Sequence, residues 1–261
     1  MQRLFLIIFI AFELCYYLLI AQTGIVEYFS SDIYLIAPLP IGGIIGSFLS
    51  FYIKTSNANK ITAFLTLQLV MSFFYPNLSF IMLFILGLSV GALAPLLINE
   101  LKKATPLELG LSLAISYSVG TFLFNYEVSQ RGSLAIFLTL VALICSQFLP
   151  KKRVENVNYE SFSLFAMILW IFLDSALFES LSRDLSIPIW RGGYTLEIAM
   201  FHIIGVVSAL TIKIEKNQKE LLIMVLFSFS YLLYFLREAY ILSLVYPFVI
   251  SYYNVIILRV L

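Results

Sequence analysis

Histidine occurs once and cysteine twice among these 261 residues, and charged side chains make up only 12% of them. Each scarcity excludes something. A haem held by two imidazoles, or any site of several histidine ligands, needs residues the chain does not have. Cys15 and Cys145 both fall inside apolar runs, so they imply no disulfide framework and read as small hydrophobic packers. There is no Walker loop, Rossmann glycine pattern or zinc-type spacing, so no cofactor, no metal centre and no ATP bound within this chain are expected. Nor is a nucleic-acid partner expected at a net charge of +1. Sparse charge beside 61% hydrophobic residues rules out a soluble enzyme, since soluble domains carry roughly 45–50% apolar and about 25% charged residues.

What is present is length in apolar runs. Stretches of about 18 to 22 apolar residues recur from Leu4 to Leu261 with short polar breaks, each the length needed to cross a bilayer. The candidate spans are 4 to 21, 33 to 53, 61 to 74, 78 to 98, 108 to 124, 133 to 149, 162 to 181, 194 to 212, 220 to 236 and 240 to 258. At about 20 residues a span, ten spans leave about six residues per loop and no room for a soluble domain. The runs are too continuous for the alternation of a membrane β-strand, so the expected fold is all-α, a polytopic transmembrane helix bundle of about ten spans. The first run follows Met1-Gln2-Arg3 but carries Glu13 and lacks a small-x-small cleavage site; it reads as a retained helix rather than a signal peptide.

Cation placement orients the bundle. With the N-terminus cytoplasmic, that side receives Arg3, Lys54, Lys60, Lys102, Lys103, Lys151, Lys152, Arg153, Lys213, Lys216, Lys219 and Arg259, against Arg131, Arg183, Arg191 and Arg237 opposite. The asymmetry, which includes every lysine, predicts that both termini are cytoplasmic. The outer arginines sit near acids, as Glu179 does four residues before Arg183, and read as local pairs.

Small residues mark close helix approach. Gly42 with Gly46, and Gly87 with Gly91, are spaced to let a neighbouring backbone come near. Pro38, Pro40, Pro95 and Pro247 bend or interrupt their spans. The polar segment Pro150 to Glu160 divides the chain, giving an expected six-helix N-terminal bundle (1–150), a cytoplasmic linker (151–160) and a four-helix C-terminal part (161–261).

The segments Gly42, Gly43, Gly46, Ser50; Leu86-Gly87-Leu88-Ser89-Val90-Gly91-Ala92-Leu93-Ala94-Pro95; and Gly110, Ser112, Ser116, Ser118, Gly120 resemble the N-terminal half of the major facilitator superfamily. The basic segment after span six is similar to that family's central cytoplasmic linker. The resemblance covers roughly residues 1 to 160, and the remainder by helix order. It implies binding of solute between two halves and rocking alternating access. Two departures stand: Gly46-Ser47-Phe48-Leu49-Ser50-Phe51-Tyr52-Ile53-Lys54 lacks the family's acid, and the family's spans eleven and twelve have no counterpart. The expectation is a shortened member, with partner helices as one replacement for those spans. Ten spans also match the drug/metabolite type of transporter, built as two five-helix inverted repeats.

Acids inside spans are the sharpest functional signal. A charge at mid-bilayer costs at least a few kcal/mol, so Glu13 and Asp174 must face protein or water, or be protonated. Glu13 shares a helical face with Tyr16 and Tyr17, and Asp174 a stripe with Trp170, Phe178 and Ser182. Both spans start at the cytoplasm, so the two acids should sit at similar depth. The resemblance implies that spans one and seven line a common cavity, with Glu13 and Asp174 exchanging protons or binding a cation across it. His202 is the third candidate, as a proton relay. For each of the three, hydrogen bonding to an adjacent helix is the plain alternative. Tyr231, Tyr234, Tyr246, Tyr252 and Tyr253 read either as a wall for an organic cation or as packing.

The expected function is secondary transport of a small organic solute, proton-coupled, in a prokaryotic inner membrane, with the lipid bilayer and the solute as partners and no enzymatic activity. A non-transporting membrane scaffold with a reduced fold is the alternative. It differs in being solidly packed, where a transporter has a water-accessible cavity.

Overall fold

The computed structural model describes residues 1–29, 32–150, 162–184 and 186–259. Among these the regular structure is entirely helical. Helix α1 (Gln2–Tyr16) runs through a π-helical turn (Tyr17–Gln22) into α2 (Gly24–Tyr28); then follow α3 (Ile33–Ile36), α4 (Pro38–Tyr52), α5 (Asn57–Ser72), α6 (Phe80–Leu101) and α7 (Pro106–Phe124). A 3-10 turn (Val128–Gln130) leads into α8 (Gly132–Ser146), and α9 (Leu164–Arg183), α10 (Thr195–Thr211), α11 (Lys216–Phe235) and α12 (Ala239–Leu258) complete the order. The expected linker at 151–160 lies outside the described residues.

Among the described residues, seven helical stretches are long and apolar enough to cross a membrane: Gln2–Tyr28, Ile33–Tyr52, Phe80–Leu101, Pro106–Phe124, Leu164–Arg183, Lys216–Phe235 and Ala239–Leu258. Gly132–Ser146 and Thr195–Thr211 are apolar but shorter. Over the third candidate span, Asn57–Ser72 has only 16 residues and brings Lys60, Thr62, Thr66 and Gln68 into the helix.

Polarity runs inside out. Ile41, Ile44, Phe48 and Phe51 stand exposed on α4, as do Leu164, Phe165, Ile171 and Phe172 on α9, while Glu13, Gln68, Ser112, Thr139, His202 and Ser251 are buried. In water each such exposed side chain would forgo about 25 cal/mol per Å² of apolar surface; against lipid tails it forgoes nothing. The chain is a multi-pass integral membrane protein.

Helix ends are set locally. Ser56 and Ser79 cap α5 and α6 through the amides of Asn59 and Met82. At α7, Thr105 and Glu108 form a reciprocal box: the Thr105 N–H donates to Glu108 Oε2 at 2.6 Å, and the Glu108 N–H to Thr105 Oγ1 at 3.2 Å. Both satisfy amides that a helix start leaves without a partner.

The helices form two compact units, which do not follow chain order. The first holds α1 to α6 and α8; the second holds α7 and α9 to α12. Helix α7, expected in the N-terminal six-helix bundle, packs instead with later helices: Gly110 brings it against Leu210 and Val206 of α10, so close that a Cβ would fall 2.6 Å from Leu210 Cδ1.

In the first unit, α4 and α6 meet along a glycine seam. A Cβ on Gly42 or Gly46 would overlap the backbone of Phe84 or Leu88, and one on Gly87 or Gly91 the backbone of Leu39 or Gly43. The Ser47 hydroxyl lies 2.9 Å from the Gly91 carbonyl oxygen and 3.0 Å from that of Gly43. Backbones this near exchange many small dispersion contacts, the main attraction between helices where water is absent.

The π turn has a structural use. It shifts the hydrogen-bond ladder, so that the Thr23 N–H and hydroxyl both reach the Leu18 carbonyl (3.1 and 2.7 Å). Leu19 O is left to accept from Arg131, whose guanidinium also donates to Tyr126 O at 3.0 Å.

Candidate functional site

Asp174 lies near the middle of α9. Tyr246 and Tyr253 on α12 are seven residues apart, two turns along one face, and both hydroxyls reach the carboxylate. Tyr246 donates to Oδ1 at 2.9 Å and Tyr253 to Oδ2 at 2.7 Å. The Tyr231 hydroxyl on α11 donates to the preceding carbonyl, Leu173 O, at 2.9 Å. Three tyrosines from two helices thus close around one turn of α9, and no basic side chain bonds the acid within this group.

The polar group continues away from Asp174. Tyr253 and Tyr117 of α7 both approach the Asn254 side chain. The Tyr117 ring stacks on His202, with centroids 4.7 Å apart and planes 12° from parallel. His202 Nδ1 lies 2.7 Å from Ser251 Oγ, the tautomer deciding which of the two donates, and the ring also bonds the Pro247 backbone. This contact follows from backbone proximity: a Cβ on Gly205 would sit 2.5 Å from Phe248 O, so α10 and α12 run close together one turn from His202.

Trp170, one turn before Asp174, is fully buried with its ring edge-on to Phe162, centroids 5.5 Å apart, and its indole nitrogen has no hydrogen-bond partner among the described residues. Trp190 is enclosed by the rings of Phe124, Phe178 and Tyr246. At the end of α9 a small cleft is lined by Phe124, Ser182, Asp184, Trp190 and Arg191. Bonds from the Ser186 hydroxyl and amide hold the Asp184 carboxyl below its ordinary range.

Glu13 belongs to the first unit. It is buried on α1, and its Oε2 accepts from Gln68 Nε2 at 3.2 Å. The same nitrogen lies 3.2 Å from Thr139 Oγ1 on α8, so one amide ties three helices. One turn further along α5, Ser72 donates to Gln68 O at 2.8 Å and pairs with the Tyr16 hydroxyl at 2.9 Å. Tyr16, rather than Tyr17, shares the buried face of Glu13; Tyr17 opens the π turn and is 48% exposed.

The candidate residues that the sequence points to therefore fall into separate units: Glu13 and Tyr17 in the first, Asp174, Trp170 and His202 in the second. Sequence reasoning does not single out Gln68, Thr139, Tyr117, Ser251 or Asn254. Gln68 carries a usable signal, a lone amide in an apolar run. Tyr117 and Asn254 carry none, because their significance comes from lateral packing.

Fold and site together define a multi-pass helical membrane protein with carboxyls inside apolar helices, Glu13 buried and Asp174 partly so, each bonded by neutral side chains. Comparison of the chain with protein-family models, curated proteins and solved structures finds no match to any of them.

Proposed function

We propose that this chain is a secondary active carrier of a small organic solute, coupled to protons and working by alternating access. The observation that carries the reading is Asp174: a carboxyl midway along an apolar helix, bonded by Tyr246 and Tyr253 and by no cation in that group. Intramembrane acids are costly and mark ion or substrate paths. A carboxyl without a cationic partner is relieved by a proton or by a positively charged ligand, and aromatic faces favour the latter when it is organic. Ten spans with both termini cytoplasmic, the resemblance to the major facilitator superfamily and a prokaryotic inner membrane belong to the same reading. No catalytic step is part of it.

Exposure on α9 favours a second reading. Leu164, Phe165, Ile168, Ile171 and Phe172 all face outward, which suits a scaffold that docks helices of another protein. Thiol accessibility separates the two. With Cys15 and Cys145 replaced, single cysteines at 13 and 174 are exposed to a membrane-impermeant, water-soluble thiol reagent in sealed vesicles. A carrier labels at position 174 from one side of the membrane. Complete protection from both sides in a folded protein would move the assignment to the scaffold.

A further inference from the structure

We infer that Asp174 takes up its proton on Oδ1, and that the Tyr246 hydroxyl is the switch that admits it by turning its hydrogen from the carboxylate to the backbone carbonyl of Asp174. The inference rests on the carrier reading for its use and deepens it, naming the atom that holds the proton and the residue that answers to it.

The observation is a doubled acceptor. Tyr246 Oη lies 2.9 Å from Asp174 Oδ1 and 3.1 Å from Asp174 O, so its one hydrogen has two places to go. A phenol hydroxyl both donates and accepts, and a backbone carbonyl has two lone pairs, only one of which the helix uses. With Asp174 ionised, Tyr246 donates to Oδ1 and Tyr253 donates to Oδ2 at 2.7 Å. When a proton from water bonds to Oδ1, the new O–H donates to Tyr246 Oη, the Tyr246 hydrogen turns to Asp174 O, and Tyr253 keeps Oδ2. Every hydroxyl keeps an acceptor in both states, and no heavy atom has to move. A buried polar group stranded by the change would cost about 1–3 kcal/mol; here neither state strands one. Tyr246 and Tyr253 are both buried, so a bond lost at either hydroxyl is not readily replaced by solvent.

The two carboxyl oxygens are not equivalent. The other contact of Tyr253 is the Asn254 side chain, which Tyr117 shares, and among the described residues no backbone carbonyl accepts from Tyr253. A proton on Oδ2 would therefore face the Tyr253 hydrogen without a carbonyl for that hydrogen to turn to. The titratable groups facing Asp174 are Tyr231 from α11, Tyr246 and Tyr253 from α12, and Tyr117 from α7. No lysine or arginine stands among them, and on α9 itself Glu179 and Arg183 pair with each other. A proton needs no cavity and no further oxygen donors, so these residues suffice as they stand.

The test is infrared difference spectroscopy of the full chain in lipid vesicles, recorded between alkaline and acid buffer. The expected spectrum gains a carboxylic-acid C=O band on acidification, kept in Glu13→Gln and lost in Asp174→Asn. A change in a tyrosine C–O stretch accompanies it, because Tyr246 passes from donor alone to donor and acceptor. That tyrosine signal is lost in Tyr246→Phe and kept in Tyr253→Phe. In Tyr253→Phe the C=O band instead moves to higher frequency, since the carbonyl oxygen of the protonated acid loses its donor. Should Asp174→Asn not fold, heavy-carbon labelling of aspartate in an Asp32→Asn, Asp184→Asn background identifies the Asp174 band by its isotope shift. Absence of that band overturns the proposal. So does a tyrosine signal that survives Tyr246→Phe or vanishes in Tyr253→Phe. Thiol accessibility is read independently: labelling at position 174 without the Tyr246 signal overturns the switch and leaves the carrier, whereas the Tyr246 signal with full protection at 174 upholds the switch in a protein that is not a carrier.

Discussion

At the scale of residues, the informative unit is a polar side chain together with what it bonds. Tyr253 and Asp174 are joined at 2.7 Å across two helices, and interhelical hydrogen bonds in membrane proteins have measured coupling of about 0.6 kcal/mol on average, reaching about 1.7. A double-mutant cycle with Tyr253→Phe and Asp174→Asn, read by reversible unfolding in mixed micelles, should return a coupling of about 0.5–1.7 kcal/mol. Strict additivity would show that the pair is not bonded. Sequence alone points to Asp174 and Glu13 because a charge in an apolar run needs a reason. It does not reveal that Gln68 is the partner of Glu13, since Gln68 lies on a different helix and nothing local to Glu13 encodes which neighbour comes alongside. Tyr17 shows the opposite difficulty: a regular 3.6-residue period places Tyr16 and Tyr17 on opposite flanks of Glu13, both near it, and only the neighbouring helices decide that the Tyr16 flank is buried while Tyr17 is 48% exposed.

At the scale of elements, small residues determine how near two helices come. The α4 and α6 seam offers an internal control, because its glycines are not equivalent. A Cβ at Gly91 would overlap the Gly43 backbone, whereas a Cβ at Gly43 would meet Gly87 O at an ordinary 3.8 Å. Gly91→Ala should therefore force the helices apart and cost about 1–3 kcal/mol, the usual range for overpacking, while Gly43→Ala should be tolerated and even gain slightly from helix propensity. Equal destabilisation of both variants in thermal unfolding would contradict the seam geometry. Helix positions are largely legible in the sequence, because hydropathy and length are properties of consecutive residues. Ends are less so: α5 begins at Asn57 behind the Ser56 cap, four residues before the apolar run starts at Ile61, since a cap and its first turn are polar. The pairing of α4 with α6 is not legible, because four glycines at the right spacing tell which faces admit a backbone and not whose backbone arrives.

At the scale of the whole molecule, scarcity of charge is enough to give the membrane class, but it does not give the grouping of helices. Chain order suggests that six helices precede the polar segment and belong together, but α7 joins the later ones through Gly110, Val206 and Leu210 while α8 returns to α1 and α5. The interleaving has a direct consequence for a divided chain. Two fragments separated within 151–161 each carry helices whose partners lie in the same fragment, with α7 the exception: its buried residues, among them Leu109, Gly110 and Leu113, have their packing partners on the other piece. Coexpressed fragments should co-purify through α7 when a tag is placed on only one. Gly110→Ile should reduce recovery of the untagged piece at least tenfold, corresponding to about 1.4 kcal/mol of lost association, whereas Leu111→Ile, on the exposed face of the same helix, should leave it unchanged. Undiminished recovery with Gly110→Ile would mean that α7 is not held against α10, and the division of the molecule would then return to the order of the chain.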